Sequence, residues 1–250
     1  MMSMKLRKTA AAVLVLTAAG AACLASAGAA PAPLLQDKDK DKKAREQSID
    51  NLKQIGLAMH NFHDSYKRMP PHALYKDKTP LLSWRVAILP YIEQGDSNIL
   101  YQQFKLDEPW DSENNKKLIA KMPKIYEPVG MGQKHEGHTY YQVFTGEGSV
   151  FDGTRKVTLA TITNQNGTVN TVMVVEGKRS VVWSKPEDIA LPSADEKTLP
   201  LGGLFNDRWH AVFCDGAVHT FGNDMPISVL RMIARYTNAT PIDLEKYEKK

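Results

Sequence analysis

Apolar residues recur at spacings of three and four across residues 49–66: Ile49, Leu52, Ile55, Met59, Phe62 and Tyr66. That period is the signature of an amphipathic helix. At about 100° per residue, the five from Leu52 to Tyr66 fall within roughly 80° of arc. His63 lies at the edge of this stripe and His60 farther round its flank. Gly56 sits beside the stripe, where a missing side chain lets another backbone come close. Pro70-Pro71 ends the helix.

Downstream, the pattern shortens. Ser83 is placed to cap a helix over WRVAILPYIE that Pro90 must kink or end. SNILYQQF, from Ser97, reads as a further short helix, and Asp111 as the cap of SENNKKLIAKM, which ends at Pro123. The composition then turns to β-branched and aromatic residues. TYYQVF (139–144), TVMVVE (171–176) and SVVW (180–183) read as strands. WHAVFC and AVHTF flank Asp215-Gly216, a hairpin signal, with a two-residue type I′ turn expected. Pro226 opens a helix over ISVLRMIARY. A long N-terminal helix followed mainly by strands is an α+β pattern.

The N-terminal segment changes the picture of where this fold begins. Lys5, Arg7 and Lys8 precede an apolar run, Ala10–Ala22, of secretory length and too short to span a bilayer comfortably. Ala27-Gly28-Ala29 fits a cleavage site, so export with cleavage near Ala29 is expected, with Cys23 as an alternative lipidation site. Removing residues 1–29, which hold three basic and no acidic residues, lowers the formal charge from +4 to +1. The basic balance therefore belongs to the leader, and no nucleic-acid partner is implied. Cys214 is then the one remaining cysteine, which excludes an intrachain disulfide. DKDKDKKAREQ (37–47) alternates in sign and reads as a solvated spacer that turns helical toward Ala44. The expected organisation is a signal peptide (1–29), a charged linker (30–47), one domain (48–245) and a charged tail (246–250), with no transmembrane helix after cleavage.

Several stretches resemble the bacterial Domain of Unknown Function 1559 family, abundant in planctomycetes. They are NLKQIGLAMHNFHDSYKRMPP (51–71), SWRVAILPYIEQ (83–94), LYQQFKLDEPWDSENN (100–115), MPKIY (122–126), TYYQVFTGEGSVFDG (139–153), TVMVVEG (171–177), VWSKPEDI (182–189), and LGGL followed by WHAVFCDGAVHTF. The resemblance implies a pilin- or pseudopilin-like fold, a helix laid across an antiparallel sheet. It also implies a structural motif of His210 with Asp215-Gly216, which stand only five residues apart here. Pilin-like members begin with a Gly-Phe-Thr-Leu-x-Glu type processing site and a continuous apolar helix. Here a removable signal and an ionic spacer stand in that place.

Candidate chemistry is sparse. His60 and His63 come from adjacent helical turns, and His135 and His138 form a second close pair. A structural zinc needs three or four ligands, so polar packing is the favoured reading and no metal or other cofactor is implied. His210 and Cys214 on one strand would stand roughly 13 Å apart, beyond the reach of general-base contact. His219 would lie diagonal to Cys214. Asp107, Glu108 and Asp111 around Trp110 lack calcium-loop spacing. The expectation is an exported, extracytoplasmic (periplasmic or secreted) non-enzymatic domain, binding an envelope or extracellular partner or serving envelope structure. Its alternatives are a pseudopilin-like component of a secretion apparatus, and a metal-dependent or hydrolytic enzyme using His60, His63, His135 and His138.

Overall fold

The structure is a computed structural model that describes residues 32–93, 95–130, 136–153, 155–205 and 207–249. Cys23, His135 and the expected cleavage position at Ala29 lie outside the described residues. In chain order the elements are α1 (Ala32–Tyr66), β1 (Ala73–Lys76), β2 (Thr79–Ser83), α2 (Trp84–Ala87), α3 (Ser97–Gln103) and α4 (Glu113–Lys116). There follow β3 (His138–Gln142), β4 (Phe144–Thr145), α5 (Leu159–Gln165), β5 (Val172–Val182), β6 (Ile189–Ala190), β7 (Arg208–Phe213), β8 (Val218–Gly222) and α6 (Ile227–Ile233). The fold class is α+β, as the order of patterns predicts.

Three layers organise it. The central antiparallel sheet has the order β3-β5-β7-β8. On one face, α1 packs Leu52, Ile55, Met59 and Phe62 against Met173, Val174 and Val212. On the other, Val229, Leu230 and Ile233 of α6 meet Val175, Trp209, Ala211, Phe213 and Phe221. Because side chains alternate along a strand, 210, 212 and 214 turn toward α1 while 209, 211 and 213 turn toward α6. Both faces of β7 are thus buried, which is why it is apolar from Trp209 to Phe213 except at His210. Gly56 is where α1 comes closest: a Cβ there would stand 2.9 Å from Val212 Cγ2.

Several expectations are corrected. The charged spacer is solvated but helical, since α1 starts at Ala32 and residues 39–43 are exposed along it. Opposite charges one turn apart, Asp41–Arg45 and Lys42–Glu46, support that helix. Tyr66, counted in the apolar stripe, is 56% exposed, because the helix has run past the sheet. Ser112, not Asp111, caps α4, accepting from Asn115 N. TVMVVE and SVVW are halves of a single strand, β5. Ser83 does cap α2, and the chain turns into a 3₁₀ segment, Leu89–Tyr91, at Pro90.

Candidate functional site

The most concentrated polar chemistry lies under α1, in the seam between helix and sheet. Ser48, one turn before Leu52, sits on the apolar face and is fully buried. Its hydroxyl donates to Glu176 Oε1 of β5, a fully buried carboxylate. Across the sheet, His210 of β7 gives Glu176 two further bonds, from its backbone N–H to Oε2 at 2.8 Å and from Nδ1 at 3.0 Å. Tyr141 OH of β3 lies 2.8 Å from Ser48 Oγ and accepts from Asn51 Nδ2 at 3.2 Å. Since the Ser48 proton goes to Glu176, Tyr141 must donate to Ser48. The order is then Asn51 to Tyr141 to Ser48 to Glu176, with His210 closing on the carboxylate from the other side. Burial, and the Glu176 charge next to it, push the Tyr141 phenol above its usual range, so it stays protonated as the chain requires.

A serine, a histidine and an acid in contact invite comparison with a nucleophilic triad, but the order is wrong. In such a triad the histidine stands between the other two and takes the hydroxyl proton. Here the carboxylate stands in the middle, Ser48 gives its proton to the acid, and none of these side chains is more than 6% exposed. What the arrangement does chemically is satisfy five buried polar groups mutually and lock α1 in one register on the sheet.

A second buried pair joins two stretches that carry the family resemblance, SWRVA and VWSKPEDI. Arg85 of α2, fully buried, places Nη2 2.7 Å from Asp188 Oδ1. Its Nε donates to the Tyr141 carbonyl at 2.9 Å and its Nη1 to Ser83 Oγ at 2.7 Å. Trp84 Nε1 and the Val143 amide donate to the same Asp188 Oδ1, while Oδ2 is buried without a partner among the described residues. Burial outweighs the Arg85 charge and these bonds, pushing the carboxyl up to about 6. Tyr141 thus ties the two clusters together, with its carbonyl on Arg85 and its hydroxyl on Ser48.

The sequence-derived candidates fall elsewhere. His60 and His63 lie near the C-terminal end of α1. His63 Nε2 accepts from the Leu159 amide at 3.3 Å, which puts the ring proton on Nδ1 and leaves that nitrogen no lone pair for a metal. His60 is shifted down by burial first and by His63 second, with Asp64 and Asp215 pulling the other way. His138, at the start of β3, faces Val182 across the ladder and contacts the Glu136 carbonyl through Nδ1. Among the described residues, no three His, Cys, Asp or Glu side chains converge where a metal ion could be held.

His210 therefore belongs to the seam and not with Asp215-Gly216. Phe213 N donates to the Ala217 carbonyl, so the hairpin turn has three residues, 214–216, and not the two expected. Gly216 takes φ +89° and Asp215 Oδ1 accepts from Ala217 N at 2.9 Å. The extra residue places His219 opposite Ala211, not diagonal to Cys214. Cys214 is buried, and that burial pushes its thiol well above the usual range. At Trp110, three carbonyls converge (Lys105, Glu108 and Pro109), but Asn115 Nδ2 fills their centre at 2.9, 3.1 and 3.0 Å. An amide does there what a cation would do in a binding loop.

Ser48, Asn51, Tyr141, Glu176, Arg85 and Asp188 were not singled out from sequence. The signals available were a serine on an apolar helical face and a glutamate ending a valine run. Against known proteins, residues 42–127 match the family model SBP_bac_10, a protein of unknown function (DUF1559). Over that stretch, about a third of the chain, the sequence is similar to the DUF1559 family. The matched stretch holds α1 from Lys42 onward and the Arg85 half of the ion pair, whereas Glu176, Asp188 and His210 lie beyond it. No curated protein and no solved structure matches the chain.

Proposed function

We propose that this is an exported, non-enzymatic domain of pilin-like architecture, with a binding or structural role in the cell envelope. The observation that carries the reading is the division of labour along α1. Its C-terminal half is spent on the domain's own sheet through Leu52, Ile55, Met59 and Phe62, while residues 39–43 stand exposed as a charged stem. A stem of alternating Asp and Lys cannot pack as an apolar filament core, because burying those charges unpaired is prohibitive. It suits a head held away from an anchoring or cleaved leader. The sealed seam, with its carboxylate between serine and histidine, supports a role without catalysis.

Among helix-on-sheet roles, a pseudopilin-like part of a secretion apparatus is the second reading, favoured by α1 lying along the antiparallel sheet. Mass spectrometry of the protein taken from fractionated producing cells tests the proposal. The expected result is an N-terminus near Ala30 in the extracytoplasmic fraction, or a lipid-bearing Cys23 at the membrane. An intact Met1 in the cytosolic fraction overturns it.

A further inference from the structure

We propose that His63, with His60 one turn before it, forms an acid-sensitive latch that fastens the last turns of α1 to the start of α5. The geometry starts at His63. Its Nε2 accepts from the Leu159 amide, the first residue of α5, and only a neutral imidazole can accept there. Protonation turns that nitrogen into a donor facing another donor, so the contact between α1 and α5 is lost. One turn earlier, His60 Nε2 is buried and makes no hydrogen bond among the described residues. A second proton arriving there would be both poorly solvated and three residues from a charged His63, the spacing at which helical side chains are neighbours.

The carboxylates facing the pair are both exposed. From α1 itself, Asp64 Oδ1 stands 3.7 Å from His63 Nδ1, but the carboxylate is 78% exposed and screened by water. From the β7–β8 turn, Asp215 favours a charged His60 and is likewise exposed. α5 brings no acidic residue in its first turn. Burial is the largest influence on His60 and lowers its proton affinity. The sign follows: a His held neutral in the folded state supports closure fully above its ordinary value of 6.5, and that support fades as pH falls below it.

Hydrogen exchange of the intact protein at about pH 7.5 and about pH 5, corrected for intrinsic rates, tests the latch. In the wild type, amides of 157–165 should lose protection several-fold at the lower pH. β5 should stay protected. The double variant His60→Asn/His63→Gln keeps a neutral acceptor at each position and should show no acid response in that segment. Equal wild-type protection at both pH values overturns the proposal, as does an unchanged acid response in the double variant. A nitrogen-15 spectrum of the wild type gives an independent check. The His63 proton should reside on Nδ1 at about pH 7.5, and an Nε2–H tautomer overturns the latch without any variant.

Discussion

At the scale of single residues, Glu176 gathers three buried donors. It accepts from Ser48, from the His210 amide and from the His210 ring. Glu176→Ala would leave all of these donors buried without an acceptor. Breaking a buried charged cluster from one side costs about 3–5 kcal/mol, and that loss should be read directly in urea unfolding. A loss below about 1 kcal/mol, the net worth of one ordinary hydrogen bond, would show that the seam is not the fastening described. Gly216 makes a different kind of contribution. A Cβ there meets nothing within 4 Å, so the whole penalty of Gly216→Val comes from φ +89°. The expected loss is about 1–3 kcal/mol, with Gly216→Asn losing less because Asn tolerates positive φ. Equal losses for Val and Asn would mean that packing, not backbone conformation, sets this position.

At the scale of elements, the contact between α1 and β7 decides how closely helix and sheet can approach. Gly56 faces Val212 Cγ2, with Met173 Cε 3.4 Å from the same added carbon. Gly56→Ala must push the helix out or shift Val212, and overpacking of this kind costs about 1–3 kcal/mol. Helix propensity favours alanine by up to about 1 kcal/mol, so the net change should remain destabilising but small. Val212→Ala opens a cavity by itself yet should relieve the clash. The double variant Gly56→Ala/Val212→Ala is therefore expected to be more stable than the sum of the single losses, by a coupling of about 0.5 kcal/mol or more. Strict additivity in thermal unfolding would place the closest approach elsewhere along α1.

The whole molecule should respond to acid in two stages with opposite signs. His60 and His72 are both shifted down by burial. Their folded forms resist protonation, so the stability they contribute is complete above 6.5 and is lost as pH falls below it. Asp188 is shifted up, to about 6, from an ordinary 3.8. The folded protein therefore takes up that proton more readily than the unfolded chain, and this returns stability as pH falls from about 6 toward 3.8. The melting temperature should decline between about pH 7.5 and about pH 6, then fall less steeply until the surface carboxylates titrate. Asp207 and Asp224, held below their usual range chiefly by bonds to Arg208 and Lys249, add losses only further into acid. A melting temperature that rises steadily from about pH 7.5 to about pH 6 would contradict the histidine shifts.

How much of this was legible in the chain follows from the range over which each feature is decided. Leu52, Ile55, Met59 and Phe62 declare a buried helical face by their spacing alone, because helical periodicity is a local property. The β5 and β7 runs declare strands for the same reason, and Gly216 declares a turn because so few residues accept positive φ. The family resemblance was legible too, since the matched stretch, 42–127, holds strings such as NLKQIGLAMHNFHDSY and SWRVAILPYIEQ. The turn length was not, because one residue more or fewer depends on which carbonyl the Phe213 amide finds across the ladder. Nor was the seam: Ser48 and Glu176 are 128 residues apart and Arg85 and Asp188 are 103 apart. A buried polar atom needs a partner, and which partner it meets is settled only when α1, β3, β5 and β7 are stacked. Local sequence decides which faces are buried; the tertiary structure decides which polar groups those faces bring together.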